Sequence, residues 1–207
     1  MTGIKFCGLR RKEDVYYVNE IGADYAGFIV TRGFSRSVGV DGIRILTKLL
    51  RKDIRPVGVF VYESIDIIAQ LANEGTISMI QLHGSESEGY IRELRSMTPV
   101  PIIRSFTISS EEDVRAANAS SADYVLLDSG KGTGKTFDWT LLSGINREFF
   151  LAGGLDAGNV EEAIRKLHPK AVDTSSRMET DGCKDYNKMS AFARSVRTAD
   201  AVREDEQ

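Results

Sequence analysis

The stretch PVGVFV, Pro56–Val61, is a short apolar run, and SMIQL, Ser78–Leu82, begins 22 residues after it. Between them, Ser64–Ala72 carries apolar residues at helical spacing and opens on serine, a preferred helix N-cap. Parallel strands that are buried on both faces form such near-continuous apolar runs, and a helix connects each strand to the next. This unit therefore predicts an α/β fold.

The same unit recurs along the chain, with the first residues of successive apolar runs about 24 residues apart on average. Eight units predict a (β/α)8 TIM barrel, and an open doubly wound sheet is the alternative. The first predicted turn, Cys7–Arg10, lacks the GxGxxG pattern that a dinucleotide-binding sheet carries, which favours the barrel. The predicted strands are Ile4–Cys7, Tyr25–Val30, Pro56–Val61, Ser78–Leu82, Ile102–Phe106, Tyr124–Leu127, Phe149–Ala152 and Ala171–Thr174, and the predicted helices are Glu13–Ile21, Asp41–Leu50, Ser64–Ala72, Ser109–Ala117 and Asn159–Leu167.

The chain length limits the number of domains. Eight units of this size need about 190 of the 207 residues, so we expect one barrel near the minimal length over residues 1–197. The remaining residues, 198–207, are polar and end in acidic residues, and we expect them to form a disordered tail.

Composition excludes several classes of protein. The chain has 27 Lys and Arg against 30 Asp and Glu, which argues against binding nucleic acid or a membrane surface through bulk positive charge. No apolar segment approaches the ~20 residues of a membrane span. Two distant cysteines and two histidines predict neither a disulfide framework nor a zinc site. We therefore expect a cytoplasmic enzyme with reduced thiols.

Residues at the carboxyl ends of the strands are the candidates for catalysis, because active sites of such barrels lie there. Cys7 ends the first strand and Asp128 follows the sixth, which makes an acid–base pair across the mouth possible. A cation would have to lower the pKa of the thiol, and Lys5, Arg36 and His83 are possible neighbours. The alternatives are a buried structural cysteine, and an aspartate paired with one of the lysines that follow it.

Small residues after the last two strands form a second candidate feature. Gly153 and Gly154 follow strand seven, and Ser175 and Ser176 follow strand eight, where backbone N–H groups commonly bind phosphate. The alternative is that the glycines only permit a tight turn.

The motif GKGTGKT, Gly130–Thr136, is similar to a phosphate-binding P-loop. A P-loop needs four residues between its first glycine and the GK pair, whereas Gly130 is followed by only three. We therefore reject nucleotide hydrolysis and predict a mobile glycine-rich loop over the mouth.

Taken in order, the strand ends resemble those of the phosphoribosylanthranilate isomerase family, a ribulose-phosphate-binding type of TIM barrel. The resemblance runs from Ile4 to about Arg197. The matching motifs are IKFCGL at Ile4–Leu9, GFI at Gly27–Ile29 with Ser35-Arg36, GVFV at Gly58–Val61, QLHG at Gln81–Gly84, LLD at Leu126–Asp128, GTGKTFDW at Gly132–Trp139, LAGGL at Leu151–Leu155 and DTSS at Asp173–Ser176.

The resemblance implies an Amadori rearrangement of N-(5-phosphoribosyl)anthranilate in tryptophan biosynthesis, driven by the substrate's own nitrogen without cofactor or metal. It implies that Asp128 is the general acid, Cys7 the general base, and Arg36 the site of the anthranilate carboxylate. It also implies that the Gly153-Gly154 and Ser175-Ser176 loops bind the phosphate. It leaves the oligomeric state open between monomer and homodimer. His83, at the end of strand four, is a further candidate for a polar residue near the substrate, and a structural histidine is the alternative.

Two other functions remain. A related isomerase of histidine biosynthesis performs the same rearrangement on another substrate, but its family is longer and places aspartate where Cys7 stands. A decayed paralogue would bind the phosphorylated ligand without turnover. Arg177, where the family usually has glycine, is the only support for decay, and the presence of Cys7 and Asp128 counts against it. The alternative is that Arg177 adds a cation to the phosphate site. The loop Thr31–Phe34 also lacks the proline often found there, and Arg104 stands where lysine is usual.

Overall fold

The computed structural model describes residues 1–128 and 139–205 of the chain, with side chains as far as residue 202. Eight parallel strands close into a barrel in their sequence order, so the predicted fold class is confirmed. Every predicted run overlaps its strand, and each bound agrees within one residue. The strands are β1 Gly3–Cys7, β2 Tyr25–Ile29, β3 Arg55–Phe60, β4 Met79–Leu82, β5 Ile102–Thr107, β6 Tyr124–Asp128, β7 Phe149–Ala152 and β8 Ala171–Thr174.

Helices cover the outside of the barrel in the part of the chain that the structure describes. The predicted helix Asp41–Leu50 differs from the observed one, because the α-helix ends at Leu46 and a 3₁₀ turn follows. A short hairpin after β8 was not predicted. The helices are α1 Lys12–Ile21, α2 Gly39–Leu46, α3 Ile65–Asn73, α4 Glu88–Met97, α5 Glu111–Ala119, α6 Val160–Leu167 and α7 Tyr186–Asp205; 3₁₀ turns cover Thr47–Leu49, Trp139–Gly144 and Ser176–Met178, and the hairpin consists of β9 Glu179–Thr180 and β10 Cys183–Lys184.

Strand residues alternate between two hydrophobic clusters. One set packs outward against the helices, as Phe6 does against Phe192 of α7. The other fills the barrel at the amino ends of the strands, where Tyr25 and Phe150 make an edge-to-face contact of 5.2 Å. Each fully buried large apolar side chain stabilises the fold by about 1.5–3 kcal/mol. The apolar filling leaves the opposite, carboxyl end of the barrel for polar residues.

The predicted disordered tail differs from the structure, because α7 continues to Asp205. Ala199 and Asp200 are buried, and Ala199 extends the apolar stripe of Phe192 and Val196 at helical spacing. The carboxylate of Asp200 accepts hydrogen bonds from the N–H of Thr2 at 2.7 Å and from its hydroxyl at 2.8 Å. The polar composition of this segment thus conceals one buried face.

No described helix has both the length and the apolar character needed to cross a membrane.

We expect Asp200→Ala to lower the free energy of unfolding by about 1–3 kcal/mol, because it leaves the N–H and hydroxyl of Thr2 buried without their acceptor. Urea denaturation followed by circular dichroism measures the change. Thr198→Ala, an exposed position two residues earlier on the same helix, is the control and should have no comparable effect. Equal midpoints for the two variants would show that the contact does not stabilise the fold.

Candidate active site

A buried ion pair lies between the first and last strands of the barrel. Lys5 of β1 and Asp173 of β8 are register partners, and Lys5 Nζ lies 2.9 Å from Asp173 Oδ1. The Lys5 side chain has no exposed surface. Burial acts to lower the pKa of Lys5, but the carboxylate of Asp173 and the thiol of Cys7 outweigh it, so the net shift is upward. The ammonium form of Lys5 is therefore favoured inside the barrel.

Cys7 lies two residues further along β1, on the same inward face, and is buried. A Cβ atom added to Gly27 of β2 would lie 2.9 Å from Cys7 Sγ and 3.1 Å from Lys5 Nζ. The thiol and the ammonium group therefore fill the space that this glycine leaves open. Burial raises the pKa of Cys7, while Lys5 and, more weakly, Lys184 oppose the rise. Of the three cations considered from sequence, Lys5 is the main one acting on the thiol.

Asp128 is the last residue of β6 and is half-buried. Two strands, β7 and β8, separate it from β1, so it faces Cys7 from another part of the barrel wall. Its carboxylate lies close enough to His83 and Asp173 to influence the pKa of both groups. The structure therefore brings Asp128 to the same mouth as Cys7.

His83 directly follows β4, and its backbone N–H donates to the carbonyl of Phe60 at 2.8 Å. Its ring Nδ1 lies 2.9 Å from the hydroxyl of Ser105, and the side chain of Gln81 lies 3.2 Å from both atoms. The residue is exposed at the open mouth, yet desolvation by the surrounding walls lowers the pKa of its imidazole below the usual value. This shift favours the uncharged imidazole.

Strand β5 contributes Ser105 rather than Arg104 to the mouth. Arg104, which stands where the family usually has lysine, lies on the outer side of the strand, where it pairs with Glu88 of α4 and lies over the ring of Phe106. Ser105 takes the inward position and contacts His83. The two-residue period of a strand, counted from the buried Ile103, would have indicated this.

The loops after β7 and β8 are joined to each other and to β1. The hydroxyl of Thr174 donates to the carbonyl of Leu155 at 2.9 Å, and that of Ser175 donates to the carbonyl of Cys7 at 3.0 Å. Gly153 and Gly154 have φ values of +98° and +65°, which favour glycine. A Cβ added to Gly154 would meet no atom within 4 Å, so open space borders this loop.

Ser176 and Arg177 lie in the 3₁₀ turn Ser176–Met178, and both side chains are exposed. Arg177 is not among the described residues with positive φ. The replacement of the usual glycine by arginine therefore causes no backbone strain of the left-handed kind.

Arg36 lies in the loop after β2 and packs against the end of β1. A Cβ added to Gly8, whose φ is +74°, would lie 2.7 Å from Arg36 Cδ and 3.1 Å from Ser175 Oγ. The guanidinium pairs with Glu179 of the hairpin, and Lys184 of the same hairpin pairs with Glu179 as well. Neither hairpin residue can be assigned a role from the sequence, because strands of two residues have no detectable periodicity.

The glycine-rich loop Gly130–Thr136 lies outside the described residues, so the prediction made for it stays a prediction. Among the described residues, no three His, Cys, Asp or Glu side chains are grouped so that they could hold a metal ion.

A family model, sequence relatives and solved structures all indicate the same family for this chain. The family model described as N-(5'phosphoribosyl)anthranilate (PRA) isomerase matches residues 4–195. The N-(5'-phosphoribosyl)anthranilate isomerase of Endomicrobium trichonymphae is 42% identical over 194 residues, covering 91% of this chain and 95% of that protein. That of Thermoanaerobacter sp. (strain X514) is 41% identical over 204 residues, covering 95% and 98%.

Solved structures agree with the sequence relatives. Phosphoribosyl anthranilate isomerase from Thermotoga maritima superimposes with a TM-score of 0.86 at 32% identity, covering 96% of this chain and all of that one. A phosphoribosyl anthranilate isomerase in complex with reduced 1-(o-carboxyphenylamino)-1-deoxyribulose 5-phosphate has a TM-score of 0.84 at 31% identity, with the same coverage. Since the family model and the relatives each span nearly the whole barrel, the chain belongs to the N-(5'-phosphoribosyl)anthranilate isomerase family.

Proposed function

We propose that the chain converts N-(5'-phosphoribosyl)anthranilate into 1-(2-carboxyphenylamino)-1-deoxyribulose 5-phosphate in tryptophan biosynthesis, with Asp128 as general acid and Cys7 as general base. One observation carries this assignment of roles. Both residues end strands of the same barrel mouth, beside the joined loops after β7 and β8. A sugar phosphate whose phosphate binds to these loops would extend its C1′ and C2′ atoms between the two side chains.

The first step opens the furanose ring. Asp128 donates its proton to the ring oxygen as the bond from that oxygen to C1′ breaks. The lone pair of the anthranilate nitrogen forms a C=N bond to C1′, so the intermediate is a protonated Schiff base. The substrate itself supplies the electrons, and Asp128 ends this step as a carboxylate.

The second step moves a proton from carbon. The Cys7 thiolate removes the proton from C2′, and the C–H electrons form a C1′=C2′ double bond while the C=N electrons return to nitrogen. The resulting enolamine gains a proton at C1′ and loses its hydroxyl proton, which leaves a ketone at C2′. Lys5 lies beside the thiol and would stabilise the thiolate that this step requires.

Substrate binding would use the remaining residues of the mouth. Arg36 would bind the anthranilate carboxylate, His83 would contact the substrate as a neutral imidazole, and the glycine and serine loops would bind the phosphate. The relative solved with a reduced carboxyphenylamino sugar phosphate supports a ligand of this class.

We also place the activity in the cytoplasm. A catalytic thiol must stay reduced, and reducing compartments maintain free thiols. Cys7 and Cys183 are both free in the structure, which is compatible with that location.

A fluorescence assay with the purified chain tests the function. We expect loss of the substrate's anthranilate fluorescence, and we expect Asp128→Asn to lower kcat at least about 10²-fold. Some activity should remain in Asp128→Asn, because water can supply the proton and the substrate nitrogen still assists ring opening. Asp41→Asn, the same change at a side chain that is 97% exposed, is the control. Ligand binding without turnover in the unmutated chain would instead support a decayed paralogue.

A further inference from the structure

Glu179 of the hairpin accepts hydrogen bonds from two cations of different segments. Its Oε1 lies 2.7 Å from Arg36 Nε and its Oε2 2.9 Å from Arg36 Nη2, while Lys184 Nζ donates to Oε1 at 2.9 Å. The Glu179 side chain is only 10% exposed. A contact with two parallel N–H···O bonds fixes the plane of a guanidinium as well as its position.

The contact leaves one edge of the guanidinium free among the described residues. Arg36 has five N–H donors, and Glu179 takes one from Nε and one from Nη2. Nη1 donates to no described residue, and 30% of the Arg36 side chain is exposed. The edge formed by Nη1 and the second N–H of Nη2 has the geometry that binds another carboxylate bidentately.

The same glutamate is connected to the phosphate loop. Lys184, whose side chain is 1% exposed, also donates to the backbone carbonyl of Ser175 at 2.9 Å. Ser175 in turn donates to the carbonyl of Cys7. A continuous chain of contacts therefore runs from Arg36 through Glu179 and Lys184 to the loop after β8 and the end of β1.

We propose that Glu179 is a positioning residue, which fixes Arg36 so that the free edge of its guanidinium receives the carboxylate of the anthranilate ring. This inference rests on the proposed function, in which Arg36 binds that carboxylate. Glu179 also holds this edge at a set position relative to the phosphate loop, which suits a substrate with one anion at each end. Its negative charge would repel the incoming carboxylate, but Arg36 and Lys184 together carry the larger, opposite charge.

Two ligands that differ only in the carboxylate test the inference: 1-(2-carboxyphenylamino)-1-deoxyribitol 5-phosphate and its phenylamino counterpart. Calorimetry gives both Kd values for the unmutated chain and for Glu179→Gln. We expect the preference for the carboxylate-bearing ligand to fall about tenfold or more in the variant, since hydrogen bonds to charged groups are of that strength. The Kd of the phenylamino ligand should stay nearly constant, and KM should rise more than kcat falls.

Glu74→Gln is the matched control. Glu74 accepts hydrogen bonds from Arg44 Nε at 3.0 Å and from Arg44 Nη2 at 2.7 Å. This pair lies at the ends of α2 and α3, away from the mouth. Its removal should therefore leave the preference for the carboxylate-bearing ligand unchanged. Glu179→Asp, which keeps the charge, should retain part of the preference and carries the test if the glutamine variant does not fold.

The outcomes separate the two claims. An active chain whose preference survives or grows in Glu179→Gln overturns the positioning role and leaves the proposed function intact. An unmutated chain with neither turnover nor preference overturns the proposed function, and this inference with it.

Discussion

Replacing Cys7 by alanine is expected to lower kcat about 10⁴-fold, the upper end of the range for general acid–base catalysis. Among the described residues, no second thiol lies on the inward face of β1 to replace Cys7. Water would have to act as the base instead, and it removes a proton from carbon poorly. The barrel should stay folded, because the change removes one atom from a small buried side chain. Single-turnover fluorescence measures the rate, and thermal denaturation checks the fold.

Cys183→Ala is the control for this variant, because Cys183 is the second free thiol and lies in the hairpin rather than on β1. It should leave kcat unchanged. Full turnover by Cys7→Ala would remove Cys7 from the mechanism.

The pH dependence gives an independent test of the same role. A base acts only when deprotonated, and burial raises the pKa of Cys7 above its ordinary value. The rate of the unmutated chain should therefore rise with pH through the neutral range. In Cys7→Asp the base would be a carboxyl group, whose ordinary pKa is about 4, whereas that of a thiol is about 8.5. Any remaining activity of this variant should therefore depend little on pH between about 6 and about 8. A parallel rise in both proteins would assign the titration to another group.

The barrel could be predicted because its information is repeated along the sequence. The strands are mostly short, buried apolar runs such as Phe149–Ala152, and their regular spacing identifies the architecture even though two helices, α4 and α7, were not predicted. The candidate residues Cys7 and Asp128 could be predicted for the same reason, since the end of a strand is visible as the end of an apolar run.

The partners of these residues could not be predicted in the same way. The contact of Lys5 with Asp173 joins residues 168 positions apart, and it depends on the register between the first and last strands at barrel closure. Glu179 and Lys184 reach the site through a hairpin with two residues in each strand, which leaves no periodic pattern in the sequence. The buried face at Asp200 was concealed for a different reason, because polar residues surround it in the sequence.

The largest stability effect is expected from Lys5→Met. The variant leaves the carboxylate of Asp173, which is only 8% exposed, inside the barrel without its cation. Removing one partner of a buried ion pair costs about 3–5 kcal/mol, a large part of the total stability of a typical domain. Urea denaturation at neutral pH measures this loss.

The loss should depend on pH in a defined direction. Burial already raises the pKa of Asp173, and Lys5 opposes that rise, so the pKa should climb further in Lys5→Met. Between the unfolded and folded pKa values, the folded variant retains a proton that the unfolded chain has released, and its stability falls as pH rises through this window. The deficit relative to the unmutated chain should therefore be smaller in acid than at neutral pH. An equal deficit at both would mean that lost packing, rather than the unpaired carboxylate, is responsible.

The double variant Lys5→Met with Asp173→Leu separates stability from catalysis. Replacing both members of a buried ion pair by apolar residues is often neutral or stabilising, so the double variant should recover most of the stability that the single variant loses. Its Cys7 thiol would nevertheless lack the neighbouring ammonium group, so the thiolate would be harder to form and the rate should stay low. A stable and fully active double variant would show that the ion pair serves only the fold. A stable but slow one would assign Lys5 a part in activating the thiol, and would explain why a buried charged pair is kept inside the barrel.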